Sequence, residues 1–174
     1  MAEALASLSR GTRMREGAAV LTFDESYAAT VELALPVLRK MQIPVTIFVT
    51  TGHLDGTTTL WDSEVESIVR TLAPTPLSLS WIDRVLRTDS RSARAASVRR
   101  LLRLLASLDE ERLERRLEEL RARVDGPTPI DPLDRMLTRA EVERISRDSL
   151  VSVGAHGHHH VAFASISGEV RERE

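Results

Sequence analysis

The sequence predicts an α/β fold with about three parallel strands and a helical insertion between the second and the third. Three observations lead to it. Residues 18–23, 45–49 and 150–154 form short runs, nearly continuous in apolar residues and rich in β-branched or aromatic side chains. Strands covered on both faces have this character. Residues 27–41, between the first two runs, carry a helical pattern, so strand, helix and strand make one right-handed βαβ unit. From residue 61 to 124 apolar residues recur at helical spacing with no strand candidate among them.

Each element has a local reason. Pro36 cannot sit within a helix without a break, so it is expected to start a second helical piece in the 27–41 segment. Trp61, Val65, Ile68 and Leu72 mark one amphipathic stripe, and Ile82, Val85 and Leu86 mark another. Leu101, Leu105 and Leu108, then Leu113, Leu117, Leu120 and Val124, predict a helix pair. Asp109, Glu110 and Glu111 suit the start of its second member, where carboxylates meet the positive end of the helix dipole. The run Asp125-Gly126-Pro127 ends that helix. Thr138 followed by Glu141 fits a capping box, opening a helix to about residue 147 that leads into the third strand. The organisation expected is one domain over 1–174, with 61–125 as the helical insertion.

Composition narrows the partners. A formal net charge of -2 and a pI near 6.2 give no field that would draw nucleic acid or an anionic membrane. Arginine and glutamate interleave through the helical middle, which reads as a solvated face with weak i,i+4 pairs. The chain lacks cysteine, which excludes disulfides, thiolate nucleophiles and cysteine-ligated zinc together. No apolar run reaches signal-peptide or membrane-span length, so the chain as written is expected in the cytoplasm.

Chemistry concentrates at two strand ends. Asp24 and Glu25 follow the first strand, where either Asp24 or Ser26 could cap the next helix or the carboxylates could serve a site. Gly154-Ala155-His156-Gly157-His158-His159-His160 follows the third strand and holds all the histidines but His53. Such a cluster is either a polar loop or a metal site, and its density just after a buried strand favours metal. His156 and His160 are spaced to bring two imidazoles to one ion. Both segments follow parallel strands, so both should open on the same edge of the sheet. The set suits metal-assisted hydrolysis.

Thr22-Phe23-Asp24-Glu25-Ser26 resembles the first motif, Thr-Phe-Asp-Asp-Gly, of the polysaccharide deacetylases with the NodB-type domain (carbohydrate esterase family 4). The segment 154–160 is similar to their second, His-Ser/Thr-x-x-His, and 35–38, 43–49, Trp61-Asp62 and 136–150 also fit. The resemblance covers about 17–62 and 136–170. It implies a partial (β/α) barrel of the deacetylase type and a hydrolase that removes acetyl groups from N- or O-acetylated sugars of a polysaccharide or oligosaccharide. Asp24 would be the general base for the attacking water. His156 and His160 would bind a divalent metal, with zinc expected, and Glu25 stands where the family has its metal-binding aspartate.

Ser26 takes the place of a glycine in the first motif, and Gly157 that of a hydroxyl residue in the second. The resemblance assigns no counterpart to the family's later motifs in the fourteen residues after His160, so a C-terminal truncation is expected. That leaves two further expectations: a catalytically inactive remnant or metal-binding, interaction-only module, or a second chain that supplies the rest of the fold. His158 and His159 are given loop or supporting roles, and His53 a surface or loop role.

Overall fold

The computed structural model describes residues 2–14, 16–161 and 168–172. Residues 162–167, 173 and 174 of the tail, and Met1 and Arg15 near the start, lie outside them. Among the described residues the chain runs α1 (Ala2–Ser9), β1 (Leu21–Phe23), a π turn (Thr30–Ala34), α2 (Leu35–Met41), β2 (Val45–Val49) and a 3-10 turn (Thr51–His53). It continues through α3 (Trp61–Thr71), α4 (Arg91–Leu105), α5 (Glu110–Arg121), α6 (Arg139–Ile145), β3 (Val151–Ala155) and α7 (Gly168–Arg171). The sheet has three strands in the order β1-β2-β3, both pairings parallel, with Leu21 opposite Val45 and Val45 opposite Val151. The α/β class and the three parallel strands are therefore as expected.

Burial differs from expectation at the sheet's edges. The central strand β2 is buried along nearly its whole length, as a strand flanked on both sides should be. β1 is only three residues long, and Leu21 in it and Val153 in β3 stand 37% and 40% exposed. The apolar run 18–23 was read as covered on both faces; only its last three residues pair, and the edge strands keep one face open among the described residues.

Pro36 falls in the first turn of α2, directly after a π turn that runs into it, so the helical run 28–41 changes its hydrogen-bond pattern just before the proline instead of breaking there. Gln42 closes the helix in the left-handed conformation. The helix pair forms as expected, with Asp109 accepting from the Arg112 amide as N-cap of α5. Thr138 and Glu141 form the capping box of α6, which ends two residues short of the expected boundary. The stripe Ile82, Val85 and Leu86 is not a helix. Leu77 and Leu86 exchange backbone hydrogen bonds at 2.8 Å in an isolated antiparallel bridge, burying both side chains. Val85 points outward, 57% exposed.

Two apolar clusters divide the molecule. Ala28, Leu35, Leu38, Ile47, Ile145 and their neighbours pack α2 and α6 on the sheet. Val65, Ile68, Leu101, Leu105, Leu117 and Leu120 belong to a separate cluster that joins α3, α4 and α5. The stretch before α6 ties the strand ends together. Leu137 N–H donates to Ser26 at 2.7 Å, and Met136 N–H donates to Thr58 at 3.0 Å. The turn after β1 and the loop after β2 are thus held from one side by one extended segment.

Candidate metal centre

Glu25 reaches the site because the chain turns sharply after β1. Its φ is 59°, a left-handed value that is uncommon for a non-glycine residue and costs it free energy. The turn's unusual backbone falls on Glu25 and not on Ser26, so a serine is tolerated at the position the resemblance gives to glycine. Ser26 is fully buried, and its Oγ lacks a hydrogen-bond partner among the described residues.

The histidines are placed by the end of β3. His156 N–H donates to the Val49 carbonyl at 2.8 Å, extending the β2–β3 ladder by one bond. Gly157 then turns the chain with φ 77°, and its carbonyl accepts from Thr51 N–H at 3.1 Å. Gly52 N–H donates to His158 O at 2.9 Å, fixing the loop a second time. His160 is left-handed as well, φ 58°. The loop therefore returns on itself and sets the His156 and His160 rings 5.3 Å apart, centroid to centroid.

Glu25, His156 and His160 each offer a ligand atom, and these atoms all lie within 4.8 Å of one another. Glu25 Oε1 stands 3.1 Å from His160 Nε2. That hydrogen bond holds the Glu25 carboxyl below its usual range and pushes the His160 imidazole up, with burial opposing in each case. His160 Nδ1 is buried without a hydrogen-bond partner among the described residues. A half-buried carboxylate with two imidazoles, one nitrogen of which is unsatisfied, is a donor set that fits a divalent ion.

Asp24 is brought to the same strand end but stands outside this group, exposed, its charge felt at His160. His158 Nδ1 lies 2.9 Å from Thr51 Oγ1, and His159 Nε2 lies 3.9 Å from Glu110 Oε1 at the start of α5. His53 is partly buried in the loop after β2, and burial first, then the neighbouring His159, lowers its pKa.

Two features escaped the sequence reading. The Asp62 carboxylate acts on His160 through space, although Trp61-Asp62 was noted without a role. A cavity of about 550 Å³ opens beside His156 and His160, walled by Trp61 and by Leu105, Leu108 and Leu113 around the α4–α5 turn. Those leucines read only as helix core, and periodicity carries no sign of which cavity a helix end lines.

The polysaccharide deacetylase family model matches residues 11–79. Over those residues the chain is similar to the polysaccharide deacetylase family. The matched segment runs from before β1, through Asp24 and Glu25, to beyond α3, and does not extend to His156 and His160. No characterised protein and no solved structure matches the chain. No helix among the described residues is long and apolar enough to cross a membrane.

Proposed function

We propose that this polysaccharide deacetylase-type chain is a metal-dependent hydrolase that removes acetyl groups from N- or O-acetylated sugars of a polysaccharide or oligosaccharide. One observation carries the reading: Glu25 from the end of β1 meets His156 and His160 from the end of β3. These three residues would hold the ion, and two imidazoles with one carboxylate form a ligand set that zinc takes in hydrolytic sites. A divalent ion there would supply a Lewis acid for the acyl carbonyl and would acidify water.

The chain's own groups do the rest. Asp24, adjacent to Glu25 and open to solvent, accepts the proton of the attacking water as general base. Water oxygen bonds to the acyl carbon, the C–N or C–O bond breaks, and the departing nitrogen or oxygen takes the proton, leaving acetate. Glu25 keeps His160 oriented through the 3.1 Å contact, and the Thr51 and Gly52 contacts hold the histidine loop against the 3-10 turn.

The separate apolar cluster of α3, α4 and α5 supports reading 61–125 as a helical insertion. The exposed Leu21 and Val153 at the sheet edges support a second chain as partner. A metal-binding module without hydrolysis is the competing reading. It is favoured by the Glu25–His160 pair, which closes the group on itself.

Acetate release from N-acetylglucosamine oligomers and from O-acetylated xylan by the zinc-loaded chain separates the two. Release is expected, with Asp24→Asn lowering it by about 10²–10⁴-fold, the usual share of a general base, while zinc still binds. Zinc binding with no acetate from either polymer would establish the module instead.

A further inference from the structure

We infer that the cavity beside His156 and His160 takes the acyl chain of the substrate, and that it binds chains several methylenes longer than acetyl more tightly than acetyl itself. The inference rests on the metal-site reading above and names the acyl group that site would cleave. His156 and His160 form part of the cavity wall, so an acyl carbonyl held at their nitrogens places the acyl tail at the cavity mouth. Its volume, about 550 Å³, lies within the range of whole small-molecule sites, about 300–1,000 Å³. An acetyl methyl would leave most of it empty.

The chemistry of the walls selects the occupant. Beyond the two histidines, the side chains on it are Trp61, Leu105, Leu108, Leu113, Val161 and alanines. Among the described residues this wall carries no carboxylate, amide or hydroxyl side chain, so sugar hydroxyls buried there would lose hydrogen bonds to water without replacement. An aliphatic chain loses none and gains from each methylene buried. The neighbouring cavity of about 350 Å³ on Trp61 is the contrast: Thr57, Thr58, Thr59, Glu64 and Arg121 line it. Hydroxyl-rich groups have partners there.

The wall is built in. Leu105 and Leu113, 0% and 8% exposed, are packed into the helical cluster, and Glu110 at the start of α5 comes within 3.9 Å of His159. The reaction is the same hydrolysis. Water oxygen bonds to the acyl carbon, the C–N or C–O bond breaks with its electron pair leaving on nitrogen or oxygen, and that atom takes the proton. The acid released is a longer carboxylate.

Calorimetric titration of the full chain with acetohydroxamate and octanohydroxamate, in zinc and with zinc chelated, tests this. In zinc, octanohydroxamate is expected to bind at least about 100-fold more tightly, well within the fourfold or so that each buried methylene can supply. Ala106→Trp, which fills the cavity from an exposed position, is expected to remove most of that preference while circular dichroism shows the fold retained. Equal affinities of the two ligands in zinc would overturn the acyl-chain inference and leave the metal site standing. The same preference without zinc would overturn it too, since the chain would then bind away from the ion. Failure of zinc itself to bind would remove the metal-site reading and this inference with it.

Discussion

Gly52 shows how finely the histidine loop is set. A Cβ built on it would lie 2.5 Å from the His158 carbonyl oxygen, and the atom in the way is backbone, which cannot swing aside as a side-chain tip could. Gly52→Ala must therefore push the loop, and with it His156 and His160. We expect zinc affinity to fall on the order of tenfold, the scale seen when groups supporting metal ligands are disturbed, as measured by competition with a chromophoric chelator. An unchanged affinity would mean that the loop's position does not matter to the ion. Sequence reading singled out Asp24, Glu25, His156 and His160 as polar residues at strand ends, and only the family resemblance gave each its role. It did not foresee Glu25's left-handed backbone, because an L-residue there is a consequence of tertiary ties. The Leu137 hydrogen bond to Ser26 that helps set this turn comes from more than a hundred residues away.

At the scale of elements, the helix starts were legible because capping is local chemistry. Thr138 occupies the cap expected of it, and Asp109, expected only among the acids at the start of α5, is that helix's N-cap. Truncating Asp109 to alanine should cost about 1 kcal/mol, the usual loss at an N-cap. Leu120→Ala, at a fully buried position in the helical cluster, should cost about 2–5 kcal/mol. Urea unfolding of the two variants checks the order, and a reversed ranking would contradict the packing described.

The entry to α6 carries a pH dependence. Glu141 is held at about 2, first by its hydrogen bonds with the Arg135 guanidinium, and also by the Thr138 amide and hydroxyl. A carboxylate lowered in the folded state stabilises it above the unfolded pKa, about 4.3, and that contribution fades as pH falls toward the folded value. Stability should therefore drop between about pH 5 and pH 2, and Glu141→Gln should flatten that slope; an equally steep loss in the variant would place the effect elsewhere. The element reading failed at Ile82, Val85 and Leu86. Three apolar residues over so short a span fit a helical turn as well as a bridge, and only pairing with Leu77 decides between them.

For the whole molecule, the parallel α/β plan was visible because β2 and the ends of its neighbours are apolar in sequence. The difference between a covered centre and open edges was not, since Leu21 and Val153 are as apolar as Ile47 yet lie on the outer strands. The division into two clusters is the larger consequence. The helical layer brings its own core and offers the α4–α5 turn to the site, while the sheet layer supplies Glu25, His156 and His160.

The claim on which the rest depends is that these three side chains bind one ion. Crystals of the full chain soaked in zinc and measured on both sides of the zinc absorption edge address it directly. The account predicts one strong anomalous peak about 2.0–2.2 Å from a Glu25 carboxylate oxygen and from one nitrogen each of His156 and His160. A peak held by His53, His158 or His159 instead, or none at all, would contradict it.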